Sequence, residues 1–475
     1  MTKNIVLKIF TSLLLVTSQL QSQGLYRTTI FSTLYGGSGT DDADVVTVDK
    51  NGNTYLGCHT NSKTLPGYHK YPYTISGGMD ALVVKLNKTG KEVEYLTKLG
   101  GSKWDAVQGI ISDELGNIYA VGTTYSKDFP IKENGFQTKF GGKSDAFVLK
   151  INPKGKVIWS TFLGGKKDED GRSISLDQNG HVYIIGRTAS KNFPITSGAF
   201  QSKLAGGIDA FITKLDSNGK VLFSTYFGGS GNDIGFSIKT NDKGKLYMAG
   251  TTNSKDLPII NAIQPLNKGK DDAFVAIMNT NKSVLEFVSY FGGKDSERLY
   301  NIDIDPYENA YIMGFTNSSD YPTTKEAFQT NLAGLRDTFI TKFNPNEKKL
   351  IYSTYLGGTK NENPRNFILN KNGSAIIVGY TESNNYPNHN NTSINVSGEI
   401  DAFITMLDMH GSTILFSNLF GGNGEDFFEG LSLGTDNVIT VSGGSNSSNF
   451  SPKNAIQSTF KGGRFDIVVS RFLIK

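Results

Sequence analysis

Seven aspartates, Asp80, Asp145, Asp209, Asp272, Asp337, Asp401 and Asp466, each head a short apolar run. A ring of carboxylates could hold Ca²⁺ or divide acid and base roles. Acid–base work, however, needs two particular carboxylates set apart by their environments. A carboxylate repeated with similar neighbours is better placed to accept hydrogen bonds from backbone N–H groups of its own loop. All seven are therefore expected to be structural, and no catalytic residue is assigned.

Three loops, Gly36-Gly37-Ser38-Gly39-Thr40-Asp41, Gly228-Gly229-Ser230-Gly231-Asn232-Asp233 and Gly421-Gly422-Asn423-Gly424-Glu425-Asp426, have the look of a calcium-binding Gly-Gly-x-Gly-x-Asp motif. That motif works by tandem stacking, each turn lending ligands to the next. Here the copies lie far apart, and Gly164-Gly165-Lys166-Lys167-Asp168-Glu169 departs from the pattern. They read as turns, so no metal or cofactor is expected. The alternative is Ca²⁺ at Asp41, Asp42 and Asp44, or at Asp168 and Asp170. The five histidines (His59, His69, His181, His389, His410) show no His-Glu-x-x-His or other clustered spacing.

Ligand contact is better sought where the pattern breaks. The stretch Tyr68-His69-Lys70-Tyr71-Pro72-Tyr73 stands where a later copy has the plainer Asn134-Gly135-Phe136-Gln137. The rings of Tyr68, Tyr71 and Tyr73, with His69, could stack on sugars or peptide groups, against which stands simple loop packing. Lys63, Lys127, Lys191 and Lys255 recur at one equivalent position, where Ser319 and Asn384 follow later. They could form a basic arc for an anionic glycan, against which stands the solvated loop lysine.

The elements that must position these residues follow a clock. A Gly-Gly pair returns at Gly36, Gly100, Gly164, Gly228, Gly292, Gly357 and Gly421, in steps of 64 residues with one of 65. Between pairs lie four runs of Val, Ile, Tyr, Phe and Thr, such as Ile118-Tyr119-Ala120-Val121 and Asp145-Ala146-Phe147-Val148, bounded by Gly, Asn, Asp or Pro. That composition makes strands. Two of the links are tight turns such as Asn152-Pro153-Lys154-Gly155, so each unit is a four-stranded antiparallel meander. Thr28 to Tyr35 matches a fourth strand, while the chain stops at Asp466 to Leu473, which matches a third. Closure into a ring lets the first strand complete the last sheet and leaves no mismatched edges. The fold class expected is all-β: a seven-bladed β-propeller over 24–475, closed by its N-terminal strand. The long second-to-third loops and the Gly-Gly loops share one face of the disc, and that face is the candidate binding surface.

The recurring set Gly-Gly, Gly-Asn-x-Tyr, Thr-x-Ser, Asp-Ala-Phe and Ser-Thr-Tyr-Leu-Gly-Gly resembles the bacterial SBBP (seven-bladed β-propeller) repeat family over about residues 25 to 475. The resemblance implies the fold and an extracytoplasmic setting, and no general activity.

Residues 1–23 carry Lys3 and Lys8 before the apolar stretch Ile9 to Val16, with small residues at Ser18 and Ser22. This reads as a secretory signal peptide. The net charge of +4, with 19% charged residues and no basic block, sets nucleic acid aside. Cys58, the one cysteine, falls where the other units carry Gly122 or Gly186, a packing position. From the small residue that ends the second strand (Cys58, Gly122 and their equivalents) to the third-strand Asp is 22 or 23 residues in every unit. That uniformity argues against an assembled catalytic pocket. The expectation is a secreted or cell-surface, monomeric, non-enzymatic binding or scaffold protein with a glycan or protein partner. The alternative is a polysaccharide lyase or glycoside hydrolase using the Tyr68–Tyr73 loop with His69 or His389.

Overall fold

The computed structural model describes residues 27–132, 135–388 and 397–474. The signal segment 1–23 and His389 lie outside the described residues. Seven four-stranded antiparallel sheets follow one another along the chain. In the first blade the strands are Asp41–Val48, Thr54–Thr60, Asp80–Leu86 and Val93–Lys98. The ring is closed as the chain ends require: Arg27–Tyr35 pairs antiparallel with Asp466–Ile474, from Arg27 opposite Ile474 to Tyr35 opposite Ile467. The last sheet is thus completed from both ends of the chain.

The links explain the strand pairing. Between the first two strands of blade 2, the Asp113 carboxylate accepts from the N–H groups of Leu115 and Asn117, at 3.0 and 2.8 Å. Gly116 then takes φ +79°, a left-handed turn that glycine adopts without strain. The apolar core lies between blades rather than inside them. One cluster, for instance, packs Tyr183, Ile185 and Ile212 of blade 3 against Met248, Phe274 and Ala276 of blade 4.

The Gly-Gly clock has a packing cause, seen at Gly100 and Gly101. A Cβ on Gly100 would lie 2.5 Å from Cβ of Asp80, and one on Gly101 would lie 2.6 Å from Cβ of Ser126. Each pair is therefore wedged between two carboxyl clamps. Behind it, the third-strand aspartates accept from backbone N–H groups of Ser76, Gly141, Ala205, Lys268, Ala333, Ser397 and Lys461, at 2.7–3.0 Å. Ahead of it stands a second ring, Asp41, Asp105, Glu169, Asp233, Glu297, Glu362 and Asp426, opening the innermost strands. Asp105 accepts from the N–H of Gly101 (2.8 Å), from Oγ of Ser126 (2.8 Å) and from Oγ1 of Thr124. The recurrent Thr-x-Ser is the other half of this clamp.

Each innermost strand carries a one-residue register shift, between Val107 and Gly109 in blade 2 and at the matching place in the other six. Such a bulge re-aims a side chain. Here the re-aimed residues border the central channel.

Candidate binding site at the channel mouth

The bulge residues are Asp44, Gln108, Arg172, Phe236, Tyr300, Arg365 and Glu429, one from each blade, all half-buried. They surround a cavity of about 420 Å³. The innermost strands start at the Gly-Gly loops, so their third and fourth residues stand near the face that carries the long loops. The cavity is therefore the mouth of the channel on that face. In six of the blades the residue after the bulge also lines the cavity. There Ser237 Oγ donates to Asn301 Oδ1 at 2.7 Å, and Asn301 Nδ2 donates to Asn366 Oδ1 at 2.5 Å.

Charge is divided across the mouth. On one side Asp42, Asp44 and Glu429 bring carboxylate oxygens within 4.8 Å of one another. Burial pushes both aspartates well above the usual carboxylate range, and the Glu429 charge adds to the effect. His59 faces them with Nδ1 3.6 Å from Asp44, and burial lowers its pKa to about 4, leaving it neutral. Three oxygens at this spacing could hold a cation, although such acid clusters are common without one. Of the acids considered from the sequence as Ca²⁺ ligands, Asp41 is occupied by Gly37 N–H, Thr60 and Ser62. Asp170 is occupied by Arg172 and Arg187, at 3.1 and 2.5 Å.

The other side is a ladder of guanidinium groups and rings. Arg172 lies 4.6 Å from the Phe236 centroid, and Arg298 lies 5.0 Å from Phe236 and 5.2 Å from Tyr300. Arg365 follows at 5.5 Å from Tyr300 and 5.4 Å from Tyr380. Cation–π contact of this kind draws a guanidinium toward the aromatic ring. Arg365 also reaches Glu429 at 3.3 Å. The arrangement offers fixed donors on one wall and oxygen acceptors on the other, as a polar ligand with two unlike ends would need.

The ligand residues expected from the sequence stand elsewhere. Tyr73 is buried and donates its hydroxyl to the Ser62 carbonyl at 2.7 Å. Tyr68 meets Tyr73 edge-on at 5.5 Å, and Tyr68 and Tyr71 pack on the blade 1 core. His69 is exposed, its ring 5.8 Å from Tyr68. Lys127, Lys191 and Lys255 are exposed on three successive blades, with no ion pair among the described residues, and none lines the mouth. Cys58 is fully buried, its thiol donating to the Leu82 carbonyl at 3.5 Å.

The mouth residues had a signal in the sequence. Each bulge residue is the eighth after the first glycine of its pair, and that column holds Asp, Gln, Arg, Phe, Tyr, Arg and Glu. There otherwise similar units differ widely in chemistry.

Comparison with known proteins agrees with this blade pattern. Residues 94–130 and 158–194 match the SBBP β-propeller repeat. The chain carries SBBP repeats. Each matched stretch runs from a fourth strand, through the Gly-Gly clamp and the bulge, into the following long loop. A regulatory protein of Caulobacter vibrioides, FlaEY, is 22% identical over 311 residues, 62% of this chain and 32% of that protein. The chain thus spans about a third of the length of the curated relative it matches. Among solved structures, a protein of unknown function from Dyadobacter fermentans shares 12% identity, with 94% of this chain and 99% of that one covered and a TM-score of 0.44. The quinohemoprotein alcohol dehydrogenase of Comamonas testosteroni shares 8%, with 95% and 76% covered and a TM-score of 0.42. At these scores neither structure carries an argument.

Proposed function

We propose that the protein is a binding propeller acting outside the cytoplasm, which takes a small polar ligand, or the polar end of a larger one, at the channel mouth without turning it over. One observation carries the reading. The positions that repeat around the ring are engaged in holding blades together, whereas the bulge position differs in chemistry from blade to blade. A shared function of all blades would repeat its residues, and a site for one asymmetric ligand would not. The extracytoplasmic setting rests on the character of residues 1–23.

The experiment is a binding and turnover screen of the protein without residues 1–23 against polysaccharides, oligosaccharides and charged small molecules. Its variants are Glu429→Gln at the mouth and His69→Ala on the outer loop. Binding weakened by Glu429→Gln and untouched by His69→Ala supports the reading. New reducing ends or unsaturated products overturn it in favour of a carbohydrate-active enzyme. The setting is tested by fractionating cells that express the chain with and without residues 1–23. Cytoplasmic retention of both forms would exclude export.

A further inference from the structure

Arg298 is the odd member of the mouth. Its side chain is exposed into the channel beside the rings of Phe236 and Tyr300, yet it forms no hydrogen bond or ion pair among the described residues. Its neighbours differ. Arg172 is paired with Asp170, which also serves Arg187, and Arg365 is paired with Glu429. Of the three arginines that line the mouth, Arg298 alone has no carboxylate partner among the described residues.

A guanidinium that lies beside two aromatic rings and has no carboxylate partner keeps its N–H donors for an acceptor, and a planar fork suits an oxyacid group. The Nε atom of Arg172 is likewise buried without a hydrogen-bond partner, whereas that of Arg365 faces Glu429 at 3.3 Å. Opposite them, Gln108, Asp44 and Glu429 could receive hydroxyl groups across a cavity of about 420 Å³, room for a sugar ring or two.

Resting on the channel mouth being the binding site, we infer that Arg298 anchors the acidic group of an acidic sugar, its carboxylate or sulfate lying on the Arg172–Arg298–Arg365 wall and its hydroxyls toward Asp44, Gln108 and Glu429. The acid is bound as the anion, and no covalent step is involved.

The test is calorimetric titration at low salt with glucuronate, glucose 6-sulfate, glucose, inorganic sulfate and inorganic phosphate. The proteins are the wild type, Arg298→Ala, Arg298→Lys, Glu429→Gln and Lys191→Ala, each first checked for an unchanged melting temperature. The expected result is binding of one or both acidic sugars and none of glucose. Arg298→Ala should weaken it at least tenfold, Arg298→Lys less, and Lys191→Ala less than twofold. Sulfate or phosphate binding as tightly as the acidic sugars overturns the sugar assignment. Ligand binding that falls in Glu429→Gln but not in Arg298→Ala overturns the anionic anchor and leaves the channel-mouth reading standing. Binding unchanged in both variants overturns the two together.

Discussion

Glu297 and Arg298 are adjacent in the chain and belong to different machines. Glu297 is fully buried, accepting from the Gly293 N–H at 3.0 Å and from Thr316 at 2.6 Å, and an acid stands in its place in every blade. Arg298 is exposed into the channel, and its equivalents are Asp42, Ala106, Asp170, Ile234, Asn363 and Phe427. The carboxyl clamps carry what all blades share, and the channel wall carries what distinguishes them. In this ring of repeats uniformity marks the fold, and on the function proposed above variation marks the binding site.

The hardest blow to the uniform part is removal of its seal. Deleting residues 25–35 strips the last sheet of Arg27–Tyr35, including the buried Phe31, Leu34 and Tyr35. At about 2 kcal/mol for each buried large side chain, the loss exceeds about 5 kcal/mol before the freed strand edge is counted. Thermal unfolding should collapse to a low, broad transition or vanish. An unchanged transition would mean the ring is not sealed there. Next comes the wedge between clamps. Gly164→Ala sets a Cβ 2.4 Å from the Asp145 carboxyl, and about 1–3 kcal/mol of destabilisation should appear in urea titration. Gly198→Ala, where an added Cβ meets nothing within 4 Å, serves as the control.

Much of this architecture was legible in the sequence because the clock reports backbone geometry directly. Strand order, closure and the structural look of the third-strand aspartates all follow from which residues recur and how far apart. The second carboxyl ring was hidden by a change of residue type: Asp41 and Asp233 resembled calcium loops, while Glu169, Glu297 and Glu362 hold the same place one methylene longer. The channel mouth was hidden by the bulge. Strict alternation assigns every other residue of a strand to a face, and one extra residue shifts that assignment. The Tyr68–Tyr73 loop drew attention for its rings, but the sequence could not show that Tyr73 is buried against Ser62.

The clamps also give the fold an uncommon response to pH. Burial raises the carboxyl pKa of Asp145, Asp466, Glu297 and Glu362 to about 7, and of Asp105 and Asp272 to about 6. In the unfolded chain these acids titrate near 4. Between those limits the folded state binds more protons, so stability falls as pH rises through the window. Asp49 and Asp177, whose pKa values are lowered by their turn hydrogen bonds despite burial, weaken the fold only at still lower pH. The melting temperature should therefore fall by several degrees from pH 5 to pH 7.5. A steady rise over that range would show that the clamp acids are not held protonated.

The smallest effect on stability is the sharpest test of the comparison. Glu297→Ala leaves the Gly293 N–H and the Thr316 hydroxyl without their acceptor in a buried site, at about 1–3 kcal/mol for an unsatisfied group. Arg298→Ala, one residue on, removes an exposed side chain with no hydrogen bond or ion pair among the described residues, and its stability should stay within about 0.5 kcal/mol of wild type. Paired urea titrations of the two variants measure the contrast. If both lose stability alike, Arg298 belongs to the fold and the division of labour between the rings fails. If Arg298→Ala unfolds like wild type while ligand is lost, the adjacent positions are separated in role as they are in burial.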